Sequence, residues 1–189
     1  MDEKETAELL KYFHEIGQMR FVKRSGWWVA KIKDPESVAE HSFRTAVIAY
    51  VLAKLEGHPE PEKLAVKSLF HDVLEARLLD RHKISSNYLK TPPEVEKLIE
   101  KEQCTRLPGK IGGELFSLLE TEDIIAKDAD YLDVALAGRE YFDAGYKDAW
   151  DWVERPGLRL RTKSAKRLHA KLLKTDSGAW WRGLKEKVK

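Results

Sequence analysis

Apolar residues recur at three- and four-residue spacing along almost the whole chain and nowhere alternate strictly with polar ones. That periodicity gathers apolar side chains on one stripe of a helix and leaves no half-buried strand pattern. It predicts an all-α fold. Residues 4–20 place Leu9, Leu10, Phe13 and Ile16 on one stripe, and 21–36 read as a loop punctuated by Ser25-Gly26 and Asp34-Pro35. Ser37, with Glu40 three residues on, reads as a capping box opening a helix to about Leu55, where Gly57 stops it. Pro59 and Pro61 precede a helix over about 62–79, with core positions Leu64, Ala65, Leu69, Val73 and Leu74. Residues 80–91 form a polar loop, and Pro92-Pro93 opens the next helix. Pro108, Gly109, Gly112 and Gly113 break the chain before helices over 114–120 and 122–144, and Gly145 ends the latter. Two more helices are expected over about 159–174 and 177–187.

A length of 189 residues suits a single domain with a sizeable core. No apolar run is long enough to span a bilayer. The N-terminal residues start acidic and turn amphipathic, unlike a secretion signal, so a soluble cytoplasmic protein is expected. Cys104 is the only cysteine, which excludes an internal disulfide and a cysteine metal cluster. Asn87 is the only asparagine and Gln18 and Gln103 the only glutamines, a bias that fits a thermophilic source. Charge is unevenly spread: residues 155–189 carry twelve Lys or Arg against Asp176 and Glu186. This basic extension follows a body of about 10–145, and its charges read as solvated faces of two terminal helices on an acidic body. A nucleic-acid surface is the rival reading, but no helix-turn-helix, zinc-finger or RNA-binding signature supports it. Trp150/Trp152 and Trp180/Trp181 read as anchors for these helices.

The chemistry centres on Leu69-Phe70-His71-Asp72-Val73-Leu74-Glu75, a His-Asp pair inside an apolar helical run. Burying an ionised Asp without a partner is costly. A metal cation removes that cost, and His and Asp are both natural ligands. Neighbours on a helix point about 100° apart, so the pair grips an ion from one side only. Further ligands must come from other helices. His41, in Glu36-Ser37-Val38-Ala39-Glu40-His41-Ser42, and Asp130, in Ile125-Ala126-Lys127-Asp128-Ala129-Asp130-Tyr131-Leu132, are the candidates. Taken alone, His41 also reads as a core histidine, and Asp128 and Asp130 as surface acids.

Together, a His in an early helix, a later His-Asp pair and a distant Asp resemble the HD-domain metal-dependent phosphohydrolases. That resemblance spans about residues 10–145 and implies an all-helical fold with His41, His71, Asp72 and Asp130 on a divalent ion. Lys23-Arg24-Ser25-Gly26-Trp27, Pro35-Glu36-Ser37-Val38-Ala39-Glu40-His41 and His71-Asp72-Val73-Leu74-Glu75 followed by Asp80 resemble its 5′-deoxynucleotidase branch. The branch removes phosphate from deoxynucleoside 5′-monophosphates and usually forms homodimers. By this resemblance Arg24 and Trp27 meet substrate, and Glu75 and Asp80 are catalytic acids beside the metal. Arg81-His82-Lys83-Ile84-Ser85-Ser86 departs from the Thr-Pro type of segment in bacterial members, which leaves nucleotide preference open.

Two His and two Asp carry net −2 and suit Mn, Co, Fe, Ni or Zn, with an open position for water and a phosphate oxygen. Such an ion polarises a phosphoryl group and yields a nucleophile near neutral pH. Glu75, four residues after His71, lies along the same helical face and could orient water or carry a proton; otherwise it is an exposed helix carboxylate. Arg24 either forks onto a phosphate or is a surface arginine. Trp27 either covers sugar or base or plugs the core. His14, His58, His82 and His169 lack a ligand-like setting. Three functions therefore stand: a deoxynucleoside monophosphatase; another HD-type hydrolysis of a triphosphate, cyclic dinucleotide or alarmone; and a metal-stabilised module that binds nucleic acid without catalysis.

Overall fold

The computed structural model describes residues 1–184, so the end of the basic extension and of the helix expected to reach 187 lie outside the described residues. The chain forms helices α1 (Glu3–Gly17), α2 (Gly26–Val29), α3 (Val38–Leu55), α4 (Pro61–Phe70), α5 (Glu75–Leu78) and α6 (Lys83–Ser86). It continues with α7 (Pro93–Cys104), α8 (Ile111–Leu119), α9 (Ile124–Asp143), α10 (Trp150–Glu154), α11 (Lys163–Leu172) and α12 (Ala179–Arg182). Among the described residues, extended pairing is limited to one antiparallel bridge between Lys23 and Ser37, so the fold is all-α.

Local chemistry sets the helix ends. Ser37 accepts from the Glu40 N–H while the Glu40 carboxylate accepts from the Ser37 N–H, closing the expected capping box. This satisfies donors that a helix start leaves orphaned. Asp123 caps α9 by accepting from Ile125 and Ala126, and Thr162 caps α11. Pro61 and Pro93 open α4 and α7 at positions that need no N–H. Gly57 (φ +71°) and Gly145 (φ +106°) follow α3 and α9 in the left-handed region, where a Cβ is costly.

The main core lies where α3, α4 and α9 meet. Leu52 of α3, Leu64 of α4, Ala129 and Leu132 of α9, and Leu160 and Ala165 of the extension form one buried cluster. Full burial of a leucine such as Leu52 contributes about 1.5–3 kcal/mol. The basic extension therefore shares the body's core, and the Arg155-Pro156-Gly157 stretch is a corner rather than a gap. Close approach also seats α10 on α9: a Cβ on Gly138 would meet the Trp152 backbone at 3.1 Å. Arg155 pairs with Asp151, Arg182 with Asp176, and Arg159 lies over the Tyr131 ring, so several extension charges already have partners.

The loops expected over 21–36 and 80–91 each carry one short helix, α2 and α6, and the helix expected over 62–79 differs more. The helix expected over 62–79 stops at Phe70, and α5 starts afresh at Glu75. The Ser68 carbonyl, which a continuing helix would give to the Asp72 N–H, accepts instead from His71 Nδ1 at 2.7 Å. The Val73, Glu75 and Ala76 N–H groups then reach back three residues rather than four, tightening the chain into a turn. His71 and Asp72 thus project from a helix end rather than mid-helix.

Candidate metal centre

Three chain segments meet at one point. His41 stands in the first turns of α3, with no solvent exposure. His71 and Asp72 come from the turn after α4, and Asp130 from the second turn of α9. His41 Nε2 lies 3.3 Å from His71 Nε2, 3.2 Å from Asp130 Oδ1 and 3.6 Å from Asp72 Oδ2. His71 Nε2 lies 3.2 Å from Asp72 Oδ2. The structure thus brings His41, His71 and Asp72 within 4.8 Å of one another, with Asp130 joining them through His41.

The opposite ring nitrogens have other partners. His41 Nδ1 donates to Asp133 Oδ2 at 2.5 Å, and His71 Nδ1 donates to the Ser68 carbonyl. With each Nδ1 carrying its hydrogen, both Nε2 lone pairs face each other and two carboxylates. Such an array repels itself unless a cation or protons lie within it. Without a cation, protons are drawn in. Burial and Arg24 oppose charge on His41, yet Asp130, Asp133 and Asp72 raise its ring to about 10. Burial likewise opposes charge on His71, and Asp72 outweighs it, so that ring also moves up. Against the same burial, His71 and Arg24 hold Asp72 low, and His41 and His71 hold Asp130 low. Two nitrogens and two carboxylates with net −2 fit a transition-metal dication. Asp72 and Asp130 keep 20% and 34% of their side chains exposed, which leaves an approach for water or a phosphate oxygen.

The remaining expected residues take distinct places. Arg24 is tethered where its N–H bonds the Glu36 carbonyl, next to the Lys23–Ser37 bridge. Its Nη1 donates to Asp72 Oδ2 at 3.1 Å and lies 3.5 Å from Asp80 Oδ1. Asp80 also accepts from the Ser25 N–H at 2.5 Å, fastening this loop to the chain beyond α5. Glu75 opens α5, and its Oε2 is buried without a hydrogen-bond partner. Burial, then Asp72 and Asp80, push its carboxyl up to about 9. Trp27 is placed otherwise than the substrate-facing expectation: only 2% exposed, it packs with Ala30, Ile32 and Ala137 and donates Nε1–H to Glu36 at 3.0 Å. An indole so enclosed has no face left for a sugar or base, because ring-to-ring packing against Tyr141 and Trp152 takes up its surroundings. His82 caps α6 through Ser85 and accepts no role at the centre; its N–H bonds Ser25 Oγ.

Several residues beneath the centre were not found from the sequence. Asp133, fully buried, accepts from His41 and from Arg44 Nε. Arg44 Nη1 also donates to both Glu140 oxygens at 2.8 and 2.9 Å, and Nη2 lies 3.7 Å from Glu36. Glu36, His41 and Asp133 make a second acid-rich group, but the Arg44 guanidinium already supplies its positive charge. A usable signal existed: Asp133 interrupts the apolar run Leu132-Asp133-Val134-Ala135-Leu136 one turn after Asp130, and the burial argument applied to Asp72 applies to it equally.

An all-helical domain with a two-His, two-Asp cluster between its helices defines a class of protein, and the comparisons agree on which. The HD domain family matches residues 16–150, and the chain belongs to that family. It is similar to curated 5′-deoxynucleotidases. One from Dictyostelium discoideum is 28% identical over 148 residues, 71% of this chain and 78% of that protein. Another from Photobacterium profundum is 26% identical over 172 residues, 81% of this chain and 86% of that protein. A solved structure from Archaeoglobus fulgidus matches with a TM-score of 0.65 at 31% identity, over 93% of this chain and 99% of that one.

Proposed function

We propose that this chain is a divalent-metal-dependent phosphomonoesterase that releases phosphate from deoxynucleoside 5′-monophosphates. The observation that carries the metal part is the facing pair of Nε2 lone pairs, 3.3 Å apart, whose Nδ1 atoms are already committed. The substrate class rests on the likeness to 5′-deoxynucleotidases.

In this reading His41, His71, Asp72 and Asp130 hold a Co, Mn, Fe, Ni or Zn dication. When bound, that ion polarises the phosphoryl group and lowers the pKa of a water. Arg24 adds a planar positive group beside Asp72, suited to a phosphate oxygen pair. Asp80 positions this loop by accepting a hydrogen bond from the Ser25 N–H and pairing in charge with Arg24. Glu75, whose carboxyl is pushed up by burial, Asp72 and Asp80, would receive a proton from the attacking water as its oxygen bonds to phosphorus and pass its own to the departing 5′ oxygen. The products are the nucleoside, which keeps that proton, and inorganic phosphate. The homodimer implied by the resemblance would cover Phe43, Val47 and Val51, an exposed apolar stripe along α3.

The test is phosphate release from deoxynucleoside and ribonucleoside mono- and triphosphates, with Mn or Co and after chelation. Metal-dependent release from deoxynucleoside monophosphates is expected. Release from triphosphates, cyclic dinucleotides or alarmones alone would transfer the metal site to another HD-type reaction. Salt-sensitive nucleic-acid binding with no phosphate release would favour the binding-module reading.

A further inference from the structure

Asp133 is a fully buried carboxylate directly beside the centre, an expensive place for its charge. Two donors meet it: His41 Nδ1 on one oxygen and Arg44 Nε on the other. Arg44 is in turn fixed by Nη1, which donates to both oxygens of Glu140, two turns further along the same face of α9. The Thr45 hydroxyl sits 3.4 Å from His41 Nδ1 and completes the enclosure. The chain Glu140–Arg44–Asp133–His41 therefore crosses between α9 and α3 three times and ends at the ring whose Nε2 faces His71, Asp72 and Asp130.

We propose that Asp133, clamped by Arg44, is the positioning residue that fixes the tautomer and orientation of the His41 ring. This deepens the metal-centre reading and rests on it. A carboxylate that accepts from Nδ1–H leaves the Nε2 lone pair free and aimed at a metal. Neutralising it cannot be silent. Asparagine offers one acceptor and one donor group, while both neighbours are donors. In Asp133→Asn either the His41 or the Arg44 N–H must face an amide N–H. The ring then loses its reason to keep one tautomer, or Arg44 loses its hold.

The experiment compares Asp133→Asn and His41→Ala with the parent chain, reading zinc affinity by chelator competition and the His41 ring by nitrogen NMR of the zinc-loaded protein. Helical content by circular dichroism serves as the folding check. Asp133→Asn should keep the parent's helical content and bind zinc about 10–100-fold more weakly. The parent should show His41 protonated at Nδ1 with Nε2 on zinc. Arg44→Lys provides a second reading if Asp133→Asn folds poorly; lysine keeps the charge but its single nitrogen cannot hold Asp133 and Glu140 as Nε and Nη1 do, and affinity should again fall. Parent-like zinc affinity in Asp133→Asn, or in Arg44→Lys where the first variant does not fold, overturns the positioning role if His41→Ala has lost zinc. Parent-like affinity in His41→Ala removes the underlying ligand assignment instead.

Discussion

Asp128 and Asp130 lie two residues apart on α9 and meet opposite fates. Asp128 is almost wholly enclosed, and its carboxylate accepts from the Arg161 and Thr162 N–H groups and from Thr162 Oγ1. Every donor it faces comes from the extension, so its charge is consumed in latching residues 161–162 onto the body. Asp130 keeps a third of its surface and faces His41, with His71 and Asp72 close by. Its surroundings want a cation that the protein's own donors do not supply. A half-turn of one helix thus separates a carboxylate used for stability from one available for chemistry. The difference lies in whether local N–H donors exhaust its lone pairs.

The largest expected contrast comes from removing each side of this pair. Asp72→Ala or His71→Ala should take metal content from about one ion per chain to near zero and abolish phosphate release. Asp128→Ala should leave metal content unchanged and lower stability by about 1–3 kcal/mol, since part-buried donors of residues 161 and 162 lose their acceptor. Elemental analysis and denaturant unfolding read the two effects. A metal-loaded Asp72→Ala protein would break the comparison at its functional end.

Next in size, Glu75→Gln should reduce turnover about 10²–10⁴-fold while metal content holds, because a side chain that moves a proton contributes on that scale. Steady-state kinetics beside elemental analysis checks it. Near-parent turnover would return Glu75 to the role of a plain helix carboxylate.

Arg24→Lys comes third. The charge beside Asp72 and Asp80 remains, but the planar fork is lost, and a charge-assisted hydrogen bond of about 1.5–3 kcal/mol implies roughly a 10–100-fold fall in kcat/KM. Metal content should not change. Lysine that sustains parent kinetics on monophosphates would remove the phosphate-clamp role.

The smallest effect is expected at Trp27. Trp27→Phe removes the hydrogen bond to Glu36 and should cost about 1 kcal/mol in unfolding free energy, with KM unchanged. A raised KM without loss of stability would restore the substrate-facing reading. Light scattering on Val47→Asp tests the α3 stripe in the same range: a homodimer there should dissociate, and an unchanged mass would move the interface elsewhere.

Much of the architecture was legible in the residues themselves. The apolar period required helices, and Ser37 with Glu40 marked the start of α3 to the residue. The glycines at 57 and 145 marked helix ends because the chain there turns left-handed. His41, His71, Asp72 and Asp130 could be nominated because ionisable groups in apolar runs need a partner. What only the tertiary structure decided is which partner each one meets. Asp128 and Asp130 look alike in sequence, and only the extension's backbone at 161–162 tells them apart. Trp27 adjoins Arg24 in one motif, yet it turns into the core while Arg24 turns to Asp72. The break after Phe70 depends on a side chain capturing the Ser68 carbonyl, an event with no period to read. Asp133 meets His41 from 92 residues away and Arg44 from 89, and a pattern along the chain reports spacing, not which faces of distant helices come together.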